Sequence, residues 1–143
     1  NCDDFYHSKQ VKGTAEVVCY SPDHSKTFVD LSDNETHAVV ELWQERSRVL
    51  ASRADVDCVL IFENKGSLVG TSNPHPHCQI YAGNLIYGHI AREVQSSRKF
   101  YEKTEKFLGQ EILQRETPRV ICENENFAAC VPWFARYAYE VFV

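Results

Sequence analysis

Residues 70–80, Gly-Thr-Ser-Asn-Pro-His-Pro-His-Cys-Gln-Ile, concentrate the side chains best able to do chemistry. His75 and His77 stand two apart, and alternate residues of an extended chain face the same way. Pro74 and Pro76 fix φ ahead of each histidine and stiffen the segment. Such a pair can share one site, or divide between structure and chemistry where local twist separates the rings. Gln79 continues the alternation, so three nitrogen- or oxygen-bearing side chains line one face. An imidazole is a competent nucleophile toward phosphorus, and the phosphoimidazole it forms is reactive. A nearby amide can donate to a non-bridging phosphate oxygen as charge builds there. Thr71, Ser72 and the backbone amides around Gly70 can cradle further phosphate oxygens. A His-x-His pair alone is more often a metal pair or two surface histidines. The glycine lead-in, the flanking prolines and the following Gln shift the balance toward nucleophilic chemistry.

The elements that must hold this stretch read as follows. Residues 57–63 form a buried strand, residues 64–74 a loop holding Gly66 and Gly70, and residues 76–82 a second strand. Upstream, residues 15–20 form a strand, and Pro22 breaks the loop after it. Ser32-Asp33-Asn34-Glu35 has the capping-box pattern, a hydroxyl followed three residues later by Glu. The helix it opens should run to about Ser52, with Val39, Leu42, Trp43 and Leu50 inward. A long polar helix is expected over residues 90–116, with a break near Gly109 and a stop before Pro118. Residues 119–123 and 127–131 read as an antiparallel hairpin around Asn124-Glu125-Asn126. Residues 139–143 read as the start of a further strand.

The chain has 143 residues, 43% hydrophobic and 24% charged, ordinary for a soluble globular protein with a real core. Its net charge of −5 argues against non-specific nucleic-acid binding, which needs a basic footprint. A phosphate-bearing substrate must then be held by local features. Apolar runs such as residues 58–62 are far too short to span a bilayer, and no signal-like segment opens the chain. The start on Asn1 rather than Met, and the stop on an incipient strand, read as a fragment of a longer protein. The six cysteines include no CxxC pair. Cys19, Cys58, Cys122 and Cys130 lie in apolar strand-like runs and are expected as buried free thiols in a reducing cytoplasm.

These residues also carry a resemblance. Phe62-Glu63-Asn64-Lys65-Gly66, followed by Gly70-Thr71-Ser72-Asn73-Pro74-His75-Pro76-His77-Cys78-Gln79, closely resembles the active-site signature of the galactose-1-phosphate uridylyltransferases. These belong to the histidine-triad superfamily and carry Gln in place of its third histidine. Residues 19–27 look like the family's upstream metal loop. Residues 123–127 and 131–135 look like its downstream hairpin.

The resemblance implies an α+β fold, a histidine-triad-like, mainly antiparallel sheet with packed helices. Residues 1–86 would be the end of an N-terminal half carrying the His-Pro-His-x-Gln site, and residues 87–143 the start of a C-terminal half. It implies a ping-pong exchange of uridylyl between UDP-glucose and galactose 1-phosphate, releasing glucose 1-phosphate and UDP-galactose, as part of galactose metabolism. His77 would be the nucleophile and Gln79 the group that stabilises the uridylylated intermediate. Asn64, Gly70, Thr71 and Ser72 would line the nucleotide and its phosphates. Position 71 is Thr where relatives often carry Cys or Ser, and Cys78 stands where Gly is common, as a packed thiol.

His75 and His24 would be ligands to a structural zinc that relatives complete with an upstream CxxC pair, which this chain lacks. Glu93, 18 residues beyond His75, would match a ligand to a second metal, often iron. His7, His37 and His89 match nothing and read as surface residues. The resemblance further implies a cytoplasmic homodimer. Two other readings compete: a nucleotide-sugar phosphorylase or adenylyltransferase of the same superfamily, and an inactive nucleotide-binding fragment.

Overall fold

The computed structural model describes residues 8–71 and 73–143, which divide into two compact units, up to Tyr87 and from Gly88 onward. Cys2, His7 and Ser72 lie outside the described residues.

The first unit is a three-stranded antiparallel sheet with a helix on one face. Strand β1 (Gly13–Cys19) and strand β2 (Cys58–Phe62) flank the central strand β3 (His77–Gly83). The register sets Cys19 opposite His77, Val17 opposite Gln79, and Phe62 opposite Gln79 from the other side. Alternation then sorts the central strand. Cys78, Ile80 and Ala82 turn inward and are buried, while His77 and Gln79 are half-buried and Tyr81 is exposed. The core gathers Leu50, Ile80 and Ala82 with Val18, Val56, Val59 and Ile61.

Leu50 comes from helix α1 (Asp33–Ala51). The expected cap is present: Ser32 Oγ accepts from the Glu35 amide, and the Glu35 carboxylate accepts from the Ser32 amide at 2.8 Å. Val39 and Leu50 are buried and Trp43 is half-buried, but Leu42, expected inward, is 39% exposed. The helix lies against only one sheet face, so its apolar stripe is narrower than the four residues suggested. Arg46 ties the helix to β1 through a forked pair with Glu16, at 2.8 and 2.5 Å.

The second unit holds helices α2 (Gly88–Thr104) and α3 (Leu108–Glu116) and the antiparallel hairpin of β4 (Val120–Glu123) and β5 (Ala128–Cys130). The long helix expected here is interrupted, as expected, and forms two helices. The break falls at residues 105–107 rather than at Gly109, which sits inside α3. Glu105 takes φ 57°, a left-handed conformation that ends a helix. The Asn124 side-chain oxygen accepts from the amides of Asn126 and Phe127, both at 2.9 Å, and shapes the hairpin turn. The strand expected over residues 139–143 is only an isolated bridge between Phe142 and Cys130.

The five described cysteines are free thiols, but Cys19 and Cys122, expected buried, are exposed. Cys19 falls on the exposed set of the alternating strand β1, and Cys122 falls in β4, where three consecutive residues face solvent. Among the described residues no helix is long and apolar enough to cross a membrane.

Candidate active site

The site forms where β3 begins. Pro76 is buried, and His75 and His77 flank it at the mouth of the strand. His77 Nδ1 lies 2.7 Å from the backbone oxygen of His75. A carbonyl oxygen only accepts, so Nδ1 carries the proton and donates. The ring is thereby held as the tautomer whose lone pair sits on Nε2. The two histidines therefore take different work. His75 turns its Nδ1 to Nδ1 of His24, 2.8 Å away, with the rings crossed at 66°.

That contact bears on zinc. The two ring nitrogens share a hydrogen bond, and imidazole nitrogen is a ligand type that zinc accepts. They supply half of a tetrahedral set, and among the described residues no group of three or more His, Cys, Asp and Glu is placed to hold a metal. A complete zinc site needs two further ligands from outside these residues. Glu93 lies exposed on α2 in the second unit and joins no such group, so the iron expectation finds no ligand set here.

Residues 63–67, Thr71 and residues 73–77, with Lys26 and Thr27 from the turn after His24, line a cleft of about 350 Å³. Asn64, Thr71, His75 and His77 all line it. The Thr71 hydroxyl donates to the Asn64 carbonyl at 2.7 Å, pinning the two ends of the loop together. Gly66 (φ 93°) and Gly70 (φ 77°) take the left-handed backbone that this tight return requires. Gly70 shapes the loop but does not line the cleft. Gln79 lies outside the cleft lining too, on the same sheet face as His77. Its Oε1 accepts from the Tyr81 hydroxyl at 3.0 Å, which leaves the amide N–H₂ to donate elsewhere.

The support behind His77 is drawn from helix α1, strand β3 and the loops that follow β1 and β2. The Trp43 indole N–H reaches the Cys78 sulfur at 3.1 Å, and its ring stacks on Phe28. Phe28 meets the edge of Tyr20, whose hydroxyl donates to Glu63 at 2.7 Å. Burial, then the Glu63 carboxylate, push the Tyr20 hydroxyl above its ordinary range. Burial likewise pushes the Cys78 thiol up, against the indole hydrogen bond. Cys78 is 1% exposed and neutral at ordinary pH, a packed thiol beside the histidine.

The charged side chains of the cleft, Lys26, Glu63 and Lys65, carry no role in the sequence reading, although all three lie inside the quoted motifs.

Comparison with known proteins gives the family and the fold. Residues 1–86 match the family profile described as galactose-1-phosphate uridyl transferase, N-terminal domain. The chain is 38% identical over 141 residues to the galactose-1-phosphate uridylyltransferase of Haemophilus influenzae, spanning 96% of this chain and 40% of that protein. It is 37% identical over 139 residues to the Thermotoga maritima enzyme of the same name, spanning 96% and 44%. The chain thus spans about two fifths of the length of these curated relatives. A solved structure of a uridylyltransferase superposes with a TM-score of 0.91 at 29% identity, covering 99% of this chain and 46% of that one. An ADP-glucose phosphorylase from Arabidopsis thaliana shares the fold, with a TM-score of 0.75 at 22% identity over 86% of this chain and 38% of that one. On the profile match over more than half its residues, the chain belongs to the galactose-1-phosphate uridyl transferase family.

Proposed function

We propose that the protein carrying this chain exchanges a uridylyl group between UDP-glucose and galactose 1-phosphate through a covalent uridylyl-histidine at His77. One observation carries the reading: His77 donates through Nδ1 to the His75 carbonyl, and so presents a lone pair on Nε2 at the wall of a cleft. Nε2 attacks the α-phosphorus of UDP-glucose. The bond from that phosphorus to the bridging oxygen breaks, and glucose 1-phosphate leaves with the electron pair. Galactose 1-phosphate then attacks the same phosphorus, the phosphorus–nitrogen bond breaks, and UDP-galactose departs. Gln79, its carbonyl engaged by Tyr81, donates from its amide nitrogen to a non-bridging oxygen as charge builds. Asn64, Thr71 and Ser72 hold the nucleotide and its phosphates, with Gly70 shaping the loop. His24 and His75 would hold a structural zinc, and Glu93 would give one ligand to a second metal, iron, each with its remaining ligands from outside the described residues. The two units are the end of one histidine-triad-like half and the start of the next, in a cytoplasmic homodimer.

Isotope exchange tests the mechanism. A ping-pong enzyme moves labelled glucose 1-phosphate into UDP-glucose with no galactose 1-phosphate present. A strict requirement for the second sugar phosphate would instead mean direct transfer, and would remove the covalent histidine.

A further inference from the structure

The uridylyl-transfer reading leaves one charge unaccounted for. When His77 Nε2 displaces the sugar phosphate, the leaving phosphate gains a negative charge that it did not carry while bridged. The chain as a whole is acidic, at −5, so its overall field does not help. Of the described residues lining the cleft, Lys26 and Lys65 are the permanently cationic ones, and they share it with His77. They come from separate loops, Lys26 two residues past His24 and Lys65 inside the loop closed by Thr71.

Two consecutive capping boxes set one carboxylate in contact with Lys26 and a second that feels both lysines. Glu35, whose Oε2 accepts from the Ser32 amide and hydroxyl, holds the Lys26 ammonium with its other oxygen at 3.2 Å. Asp30 Oδ2 accepts from the Thr27 amide at 2.8 Å and hydroxyl at 2.7 Å, and the same carboxylate feels the charges of Lys65 and Lys26. Each carboxylate is already committed to a helix start, so its hold on a lysine is shared. Both ammonium groups keep donors for a further anion.

We propose that Lys26 and Lys65 form an anion subsite beside His77 for the phosphate of the sugar 1-phosphate, stabilising it as leaving group and positioning it as acceptor. This rests on the uridylyl-transfer reading. Charge-assisted contacts to a charge that grows in the transition state favour rate more than ground-state binding.

Two uridylyl donors separate the subsite from everything else. UDP-glucose leaves a phosphate behind, whereas uridine 5′-phosphorimidazolate leaves only imidazole. In the full-length protein, Lys65→Ala should lower kcat/KM with UDP-glucose about 10-fold, and Lys26→Ala with Lys65→Ala about 100-fold. Uridylylation of His77 by the imidazolate should stay within about twofold of the unsubstituted protein. Lys65→Arg should recover most of the loss, and the melting temperatures of the two Lys65 single variants should be unchanged, since Lys65 is exposed and in no ion pair with Glu35. Equal slowing with both donors would overturn the subsite in favour of a general role in the cleft. No slowing with either would overturn it outright. An unsubstituted protein labelled by neither donor would overturn the underlying transfer reading instead.

Discussion

Gln79 and Tyr81 offer a test in which the structure sets two different magnitudes. Both project from the open face of β3, and the Tyr81 hydroxyl donates to Gln79 Oε1 at 3.0 Å. The account gives the two residues unequal work. Gln79 donates to the transferring phosphoryl group, and losing one such donor costs about 2.7–4 kcal/mol, or roughly 10²- to 10³-fold in kcat. Tyr81 only fixes which end of the amide faces the phosphate. Tyr81→Phe removes one neutral hydrogen bond at an exposed residue, worth about 0.5–1.5 kcal/mol, which is roughly a 2- to 12-fold loss. The two effects should not multiply. Once Gln79→Ala has removed the amide there is nothing left to orient, so adding Tyr81→Phe should cost almost nothing further. Steady-state kinetics on the two single variants and the double variant closes the cycle. If Gln79→Ala loses less than a few-fold, the amide has no part in the chemistry. If the two losses multiply, Tyr81 acts by another route.

Three other predictions follow from the same coordinates. Ile80 is fully buried at the centre of the sheet, so Ile80→Ala should destabilise the protein by about 2–5 kcal/mol in urea unfolding; a loss under about 1 kcal/mol would show that this core is not the one holding the site. The Ser32 amide and hydroxyl, with Lys26, hold the Glu35 carboxyl down at about 2. Its contribution is therefore present above the ordinary carboxyl range and is lost as pH falls toward 2. Urea midpoints of Glu35→Gln and the unsubstituted protein should differ at pH 6 and converge near pH 2, whereas parallel curves would contradict the sign. Full-length protein should carry zinc that His24→Ala and His75→Ala each release, read by elemental analysis; retention of stoichiometric zinc by both variants would remove these imidazoles from the ligand set.

What could be read from the sequence followed from local rules. Period-two alternation placed His77 and Gln79 on one face, and the hydroxyl-to-Glu spacing placed the start of α1 at Ser32. What could not be read needed partners far along the chain. The His24–His75 contact joins residues 51 apart and depends on how β1 and β3 register. The Tyr20–Glu63 hydrogen bond and the stack of Phe28 on Trp43 have the same origin. Periodicity also overcounted burial, because a sheet covered on one face leaves Cys19 outside and a helix packed on one side leaves Leu42 outside. The break after α2 was expected at Gly109 and falls a few residues earlier, because a non-glycine residue, Glu105, adopts the left-handed turn. Lys26 and Lys65 sat inside quoted motifs, but only the folded loops bring both to the cleft that His77 lines.

The central claim is that His77, and not His75, carries the uridylyl group. Full-length protein incubated with UDP-glucose labelled in the uracil ring, without acceptor, should trap one acid-labile uridylyl group per site. Peptide mapping under alkaline conditions should locate it on residue 77, because Nε2 of that ring holds the free lone pair while Nδ1 is tied to the His75 carbonyl. His77→Ala should trap none, and His75→Ala, if it folds, should still be labelled at residue 77. Label on His75, or trapping that survives His77→Ala, would contradict the account.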